Sequence, residues 1–211
     1  MQHKPSEPPV DCPLCPRLSE YRAANRTAHP GWFNNPVPGF GDPDAWLLIL
    51  GLAPGMQGAN RTGRPFTGDY AGDLLYATLQ KFGLASGTYE ARANDGLTLT
   101  GCFIANAVRC VPPENKPTPE EIRTCRPFLE GQIAALPRLT TVIALGQIAH
   151  QSAVKASGCK LPKYPFAHAA DHRLLNGLRL IDSYHCSRYN TNTRRLTPEM
   201  FEAVFEIALA K

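Results

Sequence analysis

The sequence holds no apolar run approaching the roughly 20 residues that span a bilayer, no internal repeat, no low-complexity tract and no flexible linker long enough to divide it. Those absences exclude a helical membrane protein, a solenoid and a string of domains. What remains is a chain of 211 residues, 43% of them hydrophobic, which suffices for a single domain with one sizeable core. Strong charge of one sign is missing too, the net charge being only +4. Residues 1–11 read as a flexible tail, and Met1 to Pro9 is polar and proline-rich without the apolar stretch of a secretory signal, so a soluble, cytoplasmic protein is expected. An even cysteine count is also lacking: seven cysteines argue against a closed disulfide framework.

Against that background four short segments stand out, each apolar and β-branched and each breaking into a loop rich in Gly, Asn, His or Pro. They are Trp46 to Leu50, Phe103 to Val108, Thr141 to Leu145 and Leu178 to Tyr184. Helical patterns separate them, so the fold expected is α/β, with a central four-stranded parallel sheet whose connections are crossovers. Such sheets bind ligands at the carboxyl ends of their strands. The helices carry their own signals. Pro16 to Asn25 places Leu18 and Tyr21 on one side; Tyr70 to Phe82 is amphipathic and ends at Gly83; Thr118-Pro119-Glu120-Glu121 forms a capping box; Gln147 to Ala156 follows; Thr197-Pro198 starts a last helix to Ala210.

Four of the cysteines group naturally. Cys12 and Cys15 form a C-x2-C pair, Cys110 sits at the end of the second strand, and Cys125 follows it after fourteen intervening residues, in a helix. Two compact knuckles would suit zinc; this wide spacing favours an iron–sulfur cluster that collects thiolates from separated elements, with structural zinc and unliganded core thiols as the alternatives. Cys102, Cys159 and Cys186 read as ordinary residues. Arg61, Arg64, Arg109, Arg188, Arg194 and Arg195 lie in or beside the strand-end loops, which suits a phosphate-bearing partner, although the charges alone fit a solvated basic face equally well.

The most specific stretch is the loop Gly51-Leu52-Ala53-Pro54-Gly55 running on to Phe66-Thr67-Gly68-Asp69. Its glycines let backbone approach a flat ligand, Phe66 offers a ring to stack on, and Asp69 offers a carboxylate. Together with the C-x2-C pair, Ala105-Asn106-Ala107-Val108-Arg109-Cys110 leading to Asn115-Lys116-Pro117, and Ser183-Tyr184-His185-Cys186-Ser187-Arg188-Tyr189-Asn190, it resembles the uracil-DNA glycosylase superfamily, and within it the iron–sulfur-containing family 5 enzymes, over nearly the whole chain.

That resemblance implies a 4Fe-4S cluster on Cys12, Cys15, Cys110 and Cys125, and a monofunctional DNA glycosylase that flips a deaminated base out of DNA and hydrolyses its N-glycosidic bond. Phe66, Asn106, Gly51 and Ala53 would bind the base, and Asp69, His185 and Asn115 would serve catalysis. Arg64, Ser187, Arg188, Tyr189 and Asn190 would meet the DNA, with Arg188 or Tyr189 plugging the gap left by the flipped nucleotide. Each residue has a plainer role: Asn106 a strand-end amide, His185 a core histidine, Asp69 a helix cap, Asn115 a turn former. Two departures from the family are visible, Cys186 and Arg194 standing where an apolar residue and a glycine are common. The apolar Leu52-Ala53-Pro54 puts the burden of catalysis on Asp69 and suggests a roomy pocket that also admits hypoxanthine. Lys116 is the one lysine in these loops, so water is the expected nucleophile. A monomer suits an enzyme that must wrap a duplex; a non-catalytic binder of damaged DNA and an iron–sulfur redox protein are the competing classes.

Overall fold

In a computed structural model, residues 6–210 are described; Met1 to Pro5, part of the expected tail, and Lys211 lie outside them. Among the described residues eight strands and seven α-helices follow one another, with two short 3-10 turns. The strands are β1 (Phe40–Gly41), β2 (Leu47–Gly51), β3 (Ala85–Ser86), β4 (Thr98–Leu99), β5 (Cys102–Asn106), β6 (Thr141–Leu145), β7 (Asp171–Arg173) and β8 (Arg179–Ser183). The helices are α1 (Pro16–Ala28), α2 (Ala59–Thr62), α3 (Tyr70–Lys81), α4 (Pro119–Ala135), α5 (Gln147–Ala156), α6 (Arg188–Asn192) and α7 (Pro198–Leu209).

The four expected strands are the parallel centre of the sheet, but the sheet has six strands in the order β1-β5-β2-β6-β8-β7. The expectation of four is corrected by β1 and β7, which add antiparallel to β5 and β8. These edge strands are only two and three residues long, so alternation has no room to show. Residues of β2 and β6 are buried throughout, as a parallel strand covered on both faces must be. One face packs Leu47, Ile49, Leu75, Leu79 and Phe205 under α3 and α7; the other packs Leu48, Leu50, Leu129, Ala153 and Leu180 under α4 and α5. No helix of the described residues is long and apolar enough to cross a membrane.

Capping chemistry sets where several helices begin. Thr118 accepts the Glu121 N–H while Glu121 accepts the Thr118 N–H, closing the box at α4. Asp69, Ser187 and Thr197 cap α3, α6 and α7 through their side chains. Of the stretch expected as a tail, Ser6 and Glu7 make contacts with the body: Ser6 offers its carbonyl to Arg109, and Glu7 accepts the Gly39 N–H at 2.9 Å.

Candidate active site and cysteine site

The strand order places a topological switch at β2, because the chain leaves it first for β5 on one side and later for β6 on the other. The carboxyl ends of β2, β5, β6 and β8 therefore surround one crevice. Gly51 closes β2 opposite Asn106, which closes β5. Beyond them the two loops stay joined, Ala107 donating to the Gly51 carbonyl at 3.0 Å and Val108 to that of Leu52 at 2.9 Å.

Phe66 is buried and crowds Gly51 together with the Asn106 Oδ1, so a Cβ at position 51 would overlap both. That contact is why the strand ends in glycine. Asn106 is 2% exposed and its Oδ1 accepts nothing, a buried acceptor awaiting a donor. The imidazole of His185 lies 6.0 Å from the Phe66 ring, centre to centre, at 29°. Burial holds it down at a pKa of about 4, so the ring is neutral at physiological pH. Its backbone carbonyl accepts from Asn190 Nδ2 at 2.8 Å, fixing the loop after β8. Asp69 accepts the Gly72 N–H at 3.3 Å and presses its second oxygen against Gly58; burial raises its pKa above the ordinary carboxylate value. Capping and display of a carboxylate are thus combined in one residue.

Other expected site residues lie elsewhere. Ala53, on the loop after β2, packs against the cysteine cluster. Asn115 is exposed in a left-handed turn, φ +58°, and its amide makes no hydrogen bond among the described residues. Ser187 is spent on capping α6, and Asn190 holds His185, so neither side chain is free in this conformation. Arg188 lies over the Tyr70 ring at 5.4 Å, and Tyr189 is 72% exposed, the two outward-facing groups of that segment. The segment, read as a loop, contains the short helix α6. Arg194 sits at φ +56°, the left-handed backbone that explains why a glycine would suit it.

Arg64 is not at the surface. It is 4% exposed, grips Asp95 through two bonds of 2.7 Å, donates Nε to Thr67 Oγ1 at 2.7 Å, and lies among the rings of Phe40, Tyr76 and Tyr89 at 5.1, 5.3 and 5.8 Å. With every donor face occupied it has nothing to offer a phosphate. Its work is to hold the Pro65–Asp69 turn, in which Phe66 takes the left-handed φ of +52° and Tyr76 donates to the Pro65 carbonyl at 2.7 Å. No sequence pattern announced Asp95, since it reaches this turn from the loop between β3 and β4.

Cys12, Cys15, Cys110 and Cys125 converge from the segment leading into α1, the loop after β5 and the body of α4, and together line one small cavity. Cys102, Cys159 and Cys186 are buried elsewhere. Four sulfur donors from three segments fit a soft metal centre, either a tetrahedral zinc ion or an iron–sulfur cluster. Donors aim at the sulfurs as well: the Arg109 backbone N–H lies 3.4 Å from Cys125 Sγ and Arg22 Nη1 3.4 Å from Cys110 Sγ. Without metal, burial pushes Cys15 and Cys125 up to about 11 and about 12, so those bare thiols are neutral. A further cluster, His150, His172 and Asp182, is closed on itself: His150 bridges the Asp182 carboxylate at 2.7 Å and the Tyr164 carbonyl at 2.9 Å, and His172 meets the Pro165 carbonyl at 3.1 Å.

An α/β protein with Phe66, Asn106, Asp69 and His185 on the loops at its topological switch, and four thiols gathered at a second place, is the class these observations define. The family model of the Uracil DNA glycosylase superfamily matches residues 38–208. The chain is 47% identical over 195 residues to the type-5 uracil-DNA glycosylase of Thermus thermophilus, covering 90% of this chain and 89% of that one. It is 36% identical over 205 residues to the type-5 uracil-DNA glycosylase of Pyrobaculum aerophilum, covering 95% and 89%, and 35% identical over 155 residues to the type-4 enzyme of that organism, covering 72% and 64%. The chain belongs to the uracil-DNA glycosylase superfamily.

Proposed function

We propose that this protein is a monofunctional DNA glycosylase that flips uracil, and other deaminated bases such as hypoxanthine, out of DNA and hydrolyses the N-glycosidic bond. One observation carries the proposal: in a chain of this family, Phe66, Asn106, Asp69 and His185 meet at one sheet edge, each in the state the chemistry needs. The Phe66 ring gives a flipped base a stacking surface. The unpartnered Asn106 Oδ1 can accept the uracil N3–H while the same amide donates to O4; cytosine, lacking that N–H, leaves the acceptor bare. As the bond breaks, negative charge grows on the departing base. A neutral His185 donates to it without first being an acid, and a buried Asp69 carboxylate faces the cationic sugar and orients water. Lys116 is 80% exposed and beside Glu114, which favours water over an amine as nucleophile.

Arg188 and Tyr189, outward on α6, serve as the wedge that fills the stack. Cys12, Cys15, Cys110 and Cys125 hold a 4Fe-4S cluster, whose contribution is to staple α1, the end of β5 and α4 together.

Matched duplexes carrying uracil or hypoxanthine, treated with alkali after incubation, test the proposal. Alkali-dependent scission by wild type, abolished in Asp69→Ala, is expected. Scission without alkali overturns the monofunctional assignment, and DNA binding without base release assigns a binder instead.

A further inference from the structure

Two buried cations flank the cysteines, and their surroundings do not balance them. Arg22 is 4% exposed and Arg109 1%, and both line the cavity that the four thiols share. Arg22 donates Nη1 to Cys110 Sγ and Nη2 to the Cys12 carbonyl and Ser19 Oγ, each at 3.0 Å; its Nε has no partner, and among the described residues no carboxylate lies within ion-pair distance. Arg109 has Glu7 at 3.4 Å and the Ser6 carbonyl at 3.2 Å, yet its Nε and Nη1 make no hydrogen bond. Glu7 is itself partly exposed and shares that oxygen with the Gly39 N–H. A guanidinium cannot shed its charge by losing a proton, and an unpaired buried charge is strongly destabilising. Among the described residues Glu7, beside Arg109, is the one carboxylate within ion-pair distance of either group. A doubly positive core held by four thiolates, in contrast, carries a net charge of two minus, which matches the two guanidinium groups.

We propose that Arg22 and Arg109 are the counter-cations of the metal centre: its negative charge is what keeps them in the interior, and they in turn retain it and favour its more reduced state. The assignment rests on the proposed 4Fe-4S cluster. It also gives the Ser6-Glu7 segment a task, since that segment caps the outer side of Arg109. A neutral, size-matched replacement of Arg22 should then act with opposite signs on the two forms of the protein. Removing Arg22 relieves the stripped protein of an unpaired charge, and removing either guanidinium deprives the loaded protein of a pair.

The test uses the full-length chain prepared anaerobically, as wild type, Arg22→Met, Arg109→Met and the charge-keeping Arg22→Lys. Iron and sulfide per chain, the rate of cluster loss under a chelator, the reduction potential, and melting temperature before and after stripping are the readouts. Cluster loss about tenfold faster or more in the Met variants is expected, with a more negative potential and a lower melting temperature when loaded, and in Arg22→Met a higher one when stripped; Arg22→Lys should follow wild type. Wild type devoid of iron and sulfide overturns the cluster reading itself. Loaded wild type with Met variants of equal cluster lifetime and potential overturns only the counter-cation assignment, as does a lowered melting temperature in both forms of Arg22→Met or equal loss of cluster in Arg22→Lys and Arg22→Met.

Discussion

Buried arginines occur on both sides of the loop that follows β2, and they are treated oppositely. Arg64, under the Phe66–Asp69 turn, has its two terminal nitrogens on Asp95 and its Nε on Thr67, with three aromatic rings around it. Arg22 and Arg109, beside the cysteines, keep orphaned donors in the interior. A satisfied charge network fixes a conformation; an unsatisfied one marks a place where something anionic belongs. The two regions thus divide the labour. On the proposed reading, the first region is held in shape by protein groups alone, whereas the cysteine site is completed by the cluster.

The largest effect that sharpens this division falls on the chemistry. Asp69→Asn keeps an acceptor for the Gly72 N–H but removes the charge that faces the sugar, so single-turnover base release should fall by about 10²–10⁴-fold. Melting temperature and iron content should stay near wild type, because the residue touches neither the Arg64 network nor the cysteines. A loss of cluster in this variant would show the two regions to be coupled.

Next in size is the satisfied network. Arg64→Met strands Asp95, whose side chain is fully buried, and should cost about 3–5 kcal/mol in chemical denaturation. Arg64 also keeps the Asp95 carboxyl well below its usual range, so acid should weaken the wild-type pair only far below pH 4. Replacing both partners by apolar residues should recover much of the stability without recovering activity, since Thr67 and the strained Phe66 lose their anchor. That contrast in sign with Arg22→Met in stripped protein is the sharpest way to break the comparison: if both lose equal stability without metal, the orphaned donors mean nothing.

The parallel centre of the sheet and the start of several helices were legible because their causes are local. Thr141–Leu145 and Gln147–Ala156 fall where periodicity places them, and the capping box at Thr118 and the single Thr197 cap each join residues three apart. Convergence of the four cysteines followed from count and spacing. Arg64 misled because a basic residue in a glycine-rich loop carries no local sign that Asp95, thirty-one residues on, will occupy it. The orphaned arginines were hidden for the same reason: burial of a charge is a property of the packed whole. Asn115 and Ala53 were carried by a motif, and the motif states sequence neighbours rather than which side of the loop each faces.

A smaller effect is read in pH. His185 has a folded pKa of about 4, below its ordinary 6.5, so below pH 6.5 the unfolded chain takes up a proton that the folded chain refuses. The stability this ring contributes is intact above 6.5 and is lost as pH falls towards 4, by roughly 2 kcal/mol near pH 5. His185→Gln should flatten that slope in melting curves while slowing base release at neutral pH. An unchanged slope would place the titrating group elsewhere.

Smallest, and stabilising, is Arg194→Gly. Arg194 holds φ +56° on the exposed turn after α6, a conformation that costs a side chain about 1 kcal/mol and glycine little. The gain should therefore approach that figure, less what a more flexible unfolded chain returns. The same angle occurs at Phe66, where the opposite is expected: a glycine there relieves strain but deletes the stacking ring, so base release should collapse even as the turn relaxes. Strain at Arg194 is dispensable because only the backbone uses that position. At Phe66, on the proposed reading, it lets the Arg64 network hold the ring where a base would stack, and melting curves set beside single-turnover rates for the two variants separate the two kinds of strain.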